Sequence, residues 1–124
     1  MIKGGFHSTA LREISLLREL NHPNIIKLLD VISDKKNLFL IFDFIPYDLK
    51  TILTKGRALK LNEIQYLVKQ LLEGTNEIHS KGLFHRDLKP TNILINENLD
   101  LFIADFGLGR PFSLIRQPYT PNVS

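Results

Sequence analysis

The sequence His85-Arg86-Asp87-Leu88-Lys89-Pro90-Thr91-Asn92 is followed by two short apolar runs and then by Asp105-Phe106-Gly107. The runs, residues 93–95 and 99–104, flank the turn-forming triplet Asn96-Glu97-Asn98, and this pattern predicts a β-hairpin. A hairpin returns the chain to the end at which it began. We therefore expect Asn92 and Asp105 to face one cavity.

The side chains around this hairpin have the chemistry of a phosphoryl-transfer site. Asp105 and Asn92 offer a carboxylate and an amide oxygen, which are the hard ligands that Mg²⁺ prefers. Asp87 could accept a proton from an attacking hydroxyl group, and Lys89 could neutralise a transferring phosphoryl group. Each residue taken singly is more often a turn former, a cap or a solvated charge. The ordered combination points to phosphoryl transfer.

The rest of the chain predicts an α+β fold. Apolar residues at helical spacing predict helices over residues 8–20 and 62–80, the second with Asn62 as N-cap and Gly82 past its end. The apolar runs 25–32 and 38–45 predict a hairpin of buried strands. A short helix is predicted over residues 47–53.

Composition excludes several classes of protein. The chain has 124 residues, of which 44% are hydrophobic and 23% charged, as in ordinary globular domains. No apolar stretch approaches the ~20 residues of a membrane-spanning helix, so we expect no membrane partner. The net charge of +3 is spread along the chain and gives no reason to expect nucleic acid binding. The absence of cysteine excludes disulfides and thiolate metal sites. No Gly-x-Ser-x-Gly motif or metal-spaced His pair supports a hydrolase or metalloenzyme.

The string from His85 to Gly107 matches the protein kinase signature, and the chain resembles eukaryotic protein kinases. Within them it is similar to the cyclin-dependent kinases. Residues 7–13, His-Ser-Thr-Ala-Leu-Arg-Glu, look like the cyclin-binding signature Pro-Ser-Thr-Ala-Ile-Arg-Glu. The resemblance implies a partial protein-kinase-like fold over residues 1–124. Residues 1–46 would be an N-lobe remnant with the cyclin-binding helix and hinge, and residues 47–124 would begin the C-lobe with the catalytic loop and activation segment.

The resemblance also implies roles for individual residues, with ATP and Mg²⁺ as cofactors. Asp87 would be the catalytic base and Lys89 a phosphate contact, while Asn92 and Asp105 would hold magnesium. Glu13 would pair with the nucleotide-binding lysine of the family. Five positions would surround the nucleotide: Phe42 as gatekeeper, the backbone of Asp43 and Ile45 at the adenine edge, Asp48 near the ribose, and Leu94 under the adenine ring.

Regulation is implied in the same way. Thr120 aligns with the activation-loop threonine, and its phosphate would carry about two negative charges. Arg12, Arg86 and Arg110 match the three arginines that gather this phosphate in the family. The implied partners are a cyclin and protein substrates, and the implied location is intracellular, in the nucleus, the cytoplasm or both.

Some parts of the kinase pattern are not found in this sequence. The glycine-rich loop, the Val-Ala-Ile-Lys lysine and the Ala-Pro-Glu motif are missing, and Gly109 stands where the cyclin-dependent pattern has Ala. We therefore expect a piece of a serine/threonine kinase that is inactive by itself and exposes an apolar stripe on residues 62–80, which favours self-association. Two alternatives stay open: a catalytically dead kinase-like protein that binds a cyclin or another partner, and a non-functional fragment.

Overall fold

The computed structural model describes residues 14–15, 17–35, 37–56, 58–82 and 88–104. Residues 14–15 and 17–19 are helical, which agrees with the predicted first helix where that helix is described. Within the described ranges, the remaining elements are five strands, two helices and a 3₁₀ turn, a mixture that agrees with the α+β prediction. In chain order they are β1 (Leu28–Ser33), β2 (Leu38–Phe42), β3 (Tyr47–Asp48), α1 (Leu49–Lys55), α2 (Leu61–Ser80), a 3₁₀ turn (Pro90–Asn92), β4 (Ile93–Ile95) and β5 (Leu101–Ile103).

The first hairpin forms where it was predicted, but its strands are only partly buried. β1 and β2 pair antiparallel as a two-stranded sheet. Leu28 and Leu38 are buried, whereas Leu29, Ile32 and Phe39 are about half exposed. The prediction of buried strands was wrong because successive side chains of a strand point to opposite faces, and only one face of this sheet packs on the core.

The segment after the first hairpin differs from the predicted helix over residues 47–53. Tyr47 and Asp48 form the short strand β3, which pairs antiparallel with β4 in the sheet β3-β4-β5. The helix begins only at Leu49, because Asp48 has extended backbone angles (φ −115°, ψ 165°) and acts as N-cap. Its carboxylate accepts a hydrogen bond of 2.7 Å from the Thr51 N–H group.

Helix α2 confirms the clearest helix of the sequence and corrects its cap. The N-cap is Lys60 and not Asn62. The Lys60 N–H group donates to Glu63 Oε1 (2.9 Å), and the Glu63 N–H group donates to the Lys60 carbonyl (3.0 Å). Each of the two residues therefore donates one hydrogen bond to the other across the first turn. Past the end of the helix Gly82 takes φ +78°, the left-handed conformation expected there.

The core lies between α2, the three-stranded sheet and the first helix. Its most deeply buried large side chains are Ile78, Ile95, Leu101 and Ile103. Ile14, Leu17 and Leu20 join the same cluster from the first helix. The stripe Ile64, Val68 and Leu72 on α2 is exposed, as predicted. No helix within the described ranges is long and apolar enough to cross a membrane.

Candidate functional site

The second hairpin has the register that the predicted site needs. β4 and β5 pair antiparallel, with Ile93 opposite Ile103 and Ile95 opposite Leu101. At the open end of the hairpin, the Ala104 N–H group donates to the Asn92 carbonyl at 3.0 Å. The chain therefore leaves β5 directly beside Asn92. Asp105, the next residue, lies outside the described residues, so its approach to Asn92 stays a prediction.

Asn92 is held by the turn that precedes β4. Pro90 starts this 3₁₀ turn, where a fixed φ and a missing N–H group cost nothing. The Asn92 N–H group donates to the Lys89 carbonyl at 2.9 Å, and the residue is buried. Lys89 is extended and exposed. The exposed Lys89 and the buried Asn92 are therefore three positions apart in the chain.

Three of the predicted nucleotide contacts belong to one small apolar cluster. Leu94 is 2% exposed and packs with Ile26 and Ala104, and Phe42 and Ile45 pack against these residues from the side. Asp43, between the last two, is exposed. The fold therefore brings the end of β2 against the middle of β4, although these segments are about 50 residues apart in sequence.

Asp48 also lies beside this cluster. Its Cα is the register partner of Leu94 across the β3–β4 ladder. Its carboxylate caps α1 through Thr51, so the side chain is fixed at the start of a helix. Four of the five predicted nucleotide positions, Phe42, Ile45, Asp48 and Leu94, are thereby placed around one strand, and Asp43 adjoins two of them in sequence.

Several predicted site residues lie outside the described residues. They are Arg12, Glu13, Arg86, Asp87, Asp105, Arg110 and Thr120. Of the two predicted magnesium ligands, only Asn92 lies within the described residues, and its chemistry fits the metal. The side-chain amide of Asn92 supplies a hard oxygen, and Mg²⁺ typically takes one or two such protein ligands together with phosphate oxygens and water.

Sequence reasoning missed two buried polar residues that hold β5. Asn24 and Gln70 are 7% and 5% exposed, and their side chains are hydrogen-bonded at 3.0 Å. A signal for Gln70 was present in the sequence. It lies three residues after Leu67 and four before Gly74, which is the spacing of a single helix face, and that face is buried.

Comparison with known proteins places this chain in a family. The model of the protein kinase domain matches residues 2–122. In Trypanosoma brucei brucei, the chain is similar to Cell division control protein 2 homolog 3, with 46% identity over 120 residues that cover 96% of this chain and 39% of the relative. Homolog 2 from the same organism is 46% identical over 122 residues, covering 97% of this chain and 35% of the relative.

A solved structure agrees with the sequence comparison. A chain in the crystal structure of the yeast RNA Pol II CTD kinase CTDK-1 complex superposes with a TM-score of 0.73 at 36% identity. The match covers 86% of this chain and 36% of that chain. This chain thus spans less than two fifths of the length of the curated relatives it matches. It belongs to the protein kinase family, as part of a kinase domain, and its predicted resemblance to the cyclin-dependent kinases is confirmed.

Proposed function

We propose that this chain supplies the catalytic loop and part of the nucleotide site of a cyclin-dependent serine/threonine protein kinase. The reaction is transfer of the γ-phosphoryl group of ATP to a serine or threonine hydroxyl of a protein. The observation that carries the proposal is the pairing of Asn92 with Ala104, since it joins the end of the catalytic loop to the entrance of the Asp-Phe-Gly segment. Protein kinases generally use ATP and Mg²⁺.

The proposed chemistry divides between four side chains. The Asp87 carboxylate accepts the proton of the substrate hydroxyl group. The hydroxyl oxygen bonds to the γ-phosphorus, and the bond between this phosphorus and ADP breaks. The Lys89 ammonium group balances charge on the transferred group. Asn92 and Asp105 hold magnesium through an amide and a carboxylate oxygen. When bound, the metal neutralises charge on the β- and γ-phosphates.

The proposed nucleotide site uses the cluster around β4. Leu94 offers an apolar side chain for the adenine ring, with Phe42 closing the inner end and Asp43 and Ile45 lying along the adenine edge. Asp48, opposite Leu94 in the β3–β4 ladder, lies within one strand spacing of that position and is assigned to the ribose. Glu13 is assigned to the lysine that holds the phosphates.

A cyclin is the proposed partner of the first helix. Ile14, Leu17 and Leu20 of this helix face the core, whereas Ser15, Arg18 and Glu19 are exposed. Its outer face is therefore polar and accessible. We further assign Thr120 as the activating phosphosite, with Arg12, Arg86 and Arg110 as its phosphate ligands, and protein substrates as the acceptors. The proposed location is the nucleus, the cytoplasm or both, and the proposed lobe boundary lies at residue 46.

A chimeric kinase tests the proposal. The matching 120 residues of the trypanosome homolog 3 are replaced by this chain, and phosphate transfer from ATP to a serine/threonine substrate is measured with a cyclin present. We expect activity that falls by about 10²-fold or more with Asp87→Asn, the range of general base catalysis.

Two asparagine variants distinguish the loss of a magnesium ligand from a change in the hairpin turn. Asn92→Ala should raise the Mg²⁺ concentration needed for half-maximal activity, whereas Asn98→Ala, in the exposed hairpin turn, should leave it unchanged. A folded chimera that binds cyclin but transfers no phosphate would instead support the catalytically dead alternative.

A further inference from the structure

The outer edge of β5 is completed partly by side chains and partly by the backbone of residues 24–26, which forms a single parallel bridge at Ile103 instead of a full strand. β5 is the last strand of the sheet β3-β4-β5, so one side of its backbone has no strand beside it. The N–H and carbonyl groups of Leu101 and Ile103 point away from β4, and all four nevertheless have hydrogen-bond partners. The Ile103 N–H group donates to the Asn24 carbonyl (2.8 Å), and the Ile103 carbonyl accepts from the Ile26 N–H group (3.0 Å).

The two backbone groups of Leu101 are bound by amide side chains. Its N–H group donates to Gln70 Oε1 (2.9 Å), and its carbonyl accepts from Asn24 Nδ2 (3.1 Å). Asn24 Nδ2 also donates to Gln70 Oε1 (3.0 Å), which links the two side chains. Asn24 and Gln70 together therefore present one donor and one acceptor to β5, as a neighbouring strand would.

Gln70 also fixes the turn that leads into β5. Its Nε2 donates to the Leu99 carbonyl at 2.9 Å. The single side chain thus offers an acceptor to residue 101 and a donor to residue 99, so its amide has only one workable orientation. An apolar side chain of the same size offers neither group, and a carboxylate lacks the donor.

We propose that Asn24 and Gln70 are positioning residues for the phosphoryl-transfer site. By binding the outer edge of β5 they fix its register against β4, and this register sets where Ala104 lies relative to Asn92. A shift of one residue would move Ala104 out of its pairing and turn the side chains of β5 to the opposite face. The inference rests on the proposed function, since it takes Asn92 and Asp105 as magnesium ligands.

The variant Gln70→Glu tests the inference through its protonation. A protonated glutamate keeps both features of Gln70, an acceptor for Leu101 and a donor for Leu99. An ionised glutamate sets a negative oxygen against the Leu99 carbonyl. Burial raises the pKa of a carboxyl group, so the variant should be mainly protonated at about pH 5 and ionised at about pH 8. Tyr66, Asp100 and His22, whose Nδ1 accepts a hydrogen bond of 3.0 Å from the Asn24 N–H group, are common to both proteins, and the unsubstituted chain is the control at each pH.

The readout is Mn²⁺ binding to the full chain, followed by paramagnetic broadening of the Asn92 side-chain amide and the Ala104 backbone amide in NMR spectra. We expect Gln70→Glu to match the unsubstituted chain at about pH 5 and to bind Mn²⁺ about 10- to 100-fold more weakly at about pH 8. Gln70→Met should be weakened at both pH values. Gln65→Met, at an exposed glutamine of the same helix, should change nothing.

Circular dichroism at each pH shows whether a variant is folded. A folded Gln70→Glu chain that binds Mn²⁺ like the unsubstituted chain at both pH values would overturn the inference and leave the proposed function standing. Failure of the same variant to fold at about pH 5 would also overturn it, because the protonated side chain reproduces the hydrogen bonds to Leu99 and Leu101. Absence of broadening at Asn92 in the unsubstituted chain would reject the proposed metal site and the inference together.

Discussion

Replacing Gly74 by alanine tests the close approach of α2 to β5 and to the turn at Asn24. Gly74 lies on the buried face of α2, where the helix crosses β5. A Cβ atom at this position would lie 2.9 Å from Ile103 Cδ1, 3.0 Å from the Asn24 carbonyl oxygen and 3.2 Å from Asn24 Cβ. Distances this short are repulsive, so we expect Gly74→Ala to destabilise the protein even though alanine is the better helix former.

The magnitude follows from two opposing effects. Alanine favours the interior of a helix over glycine by about 1 kcal/mol. Extra methyl groups in a packed core cost about 1–3 kcal/mol. The cost should fall in the upper part of that range, because Ile103 is completely buried and the Asn24 carbonyl is held by its bond to the Ile103 N–H group. The net loss in the free energy of unfolding is then about 1–2 kcal/mol.

Urea unfolding followed by circular dichroism measures this loss. With a slope of about 2 kcal/mol per M, the midpoint should fall by about 0.5–1 M. Asn76→Ala, at an exposed position of the same helix, is the control and should raise stability by a few tenths of a kcal/mol. A Gly74→Ala protein about 1 kcal/mol more stable than the original would refute the close approach of α2 to β5.

A double substitution locates the clash. Ile103→Val removes Cδ1, the atom nearest to the added methyl group, and by itself should cost about 0.5–1.5 kcal/mol. In the double variant, the methyl group added at position 74 partly fills the space that Cδ1 leaves. The combined loss should therefore be smaller than the sum of the two single losses, by at least about 0.5 kcal/mol. Additive losses would place the clash at Asn24 instead.

Three further predictions concern the surface. Tyr66 Oη donates to Asp100 Oδ1 at 2.7 Å, and this hydrogen bond raises the pKa of Tyr66 above 10.0. The stabilisation that the hydrogen bond provides is present below pH 10.0 and is lost as the pH rises through the folded-state pKa of Tyr66. Asp100→Asn should lower the phenolate titration midpoint measured by ultraviolet absorbance. Leu72→Gln, at a side chain that is 65% exposed, should reduce self-association in sedimentation velocity while changing stability by less than about 0.5 kcal/mol. Asp48→Ala should cost about 1 kcal/mol in urea unfolding by removing the cap on Thr51, whereas Asp48→Ser, which can still cap, should cost only a few tenths of a kcal/mol.

Sequence reasoning succeeded where a local signal was strong. Apolar residues at helical spacing located α2, and the triplet from Asn96 to Asn98 located the turn between β4 and β5. It failed at the start of α1, because Tyr47 and Asp48 pair with β4, a segment more than 40 residues later in the chain. Such pairing leaves no mark on a local pattern. The burial of the first hairpin was overestimated for a different reason: only one face of its sheet packs on the core, and a continuous apolar run does not show this.

The candidate site shows the same difference between features that depend on neighbouring residues and features that depend on distant ones. Three segments follow one another in the chain: residues 85–92, a hairpin and Asp-Phe-Gly. Their order was enough to predict the chemistry and the family, because the spacing of a short hairpin is a local property. The grouping of Phe42 and Ile45 with Leu94 was implied only by resemblance, and the fold is what brings them into contact.

The sequence by itself determined α2, the hairpins and the residue types of a phosphoryl-transfer site, since propensity, turn chemistry and hydrophobic periodicity act over a few residues. Only the tertiary structure decided how β5 is held. Asn24 precedes Leu101 by 77 residues, and Gln70 precedes it by 31. A buried strand edge must have all its backbone groups hydrogen-bonded, and which distant side chains meet that need depends on how α2 and the turn at Asn24 pack against the strand.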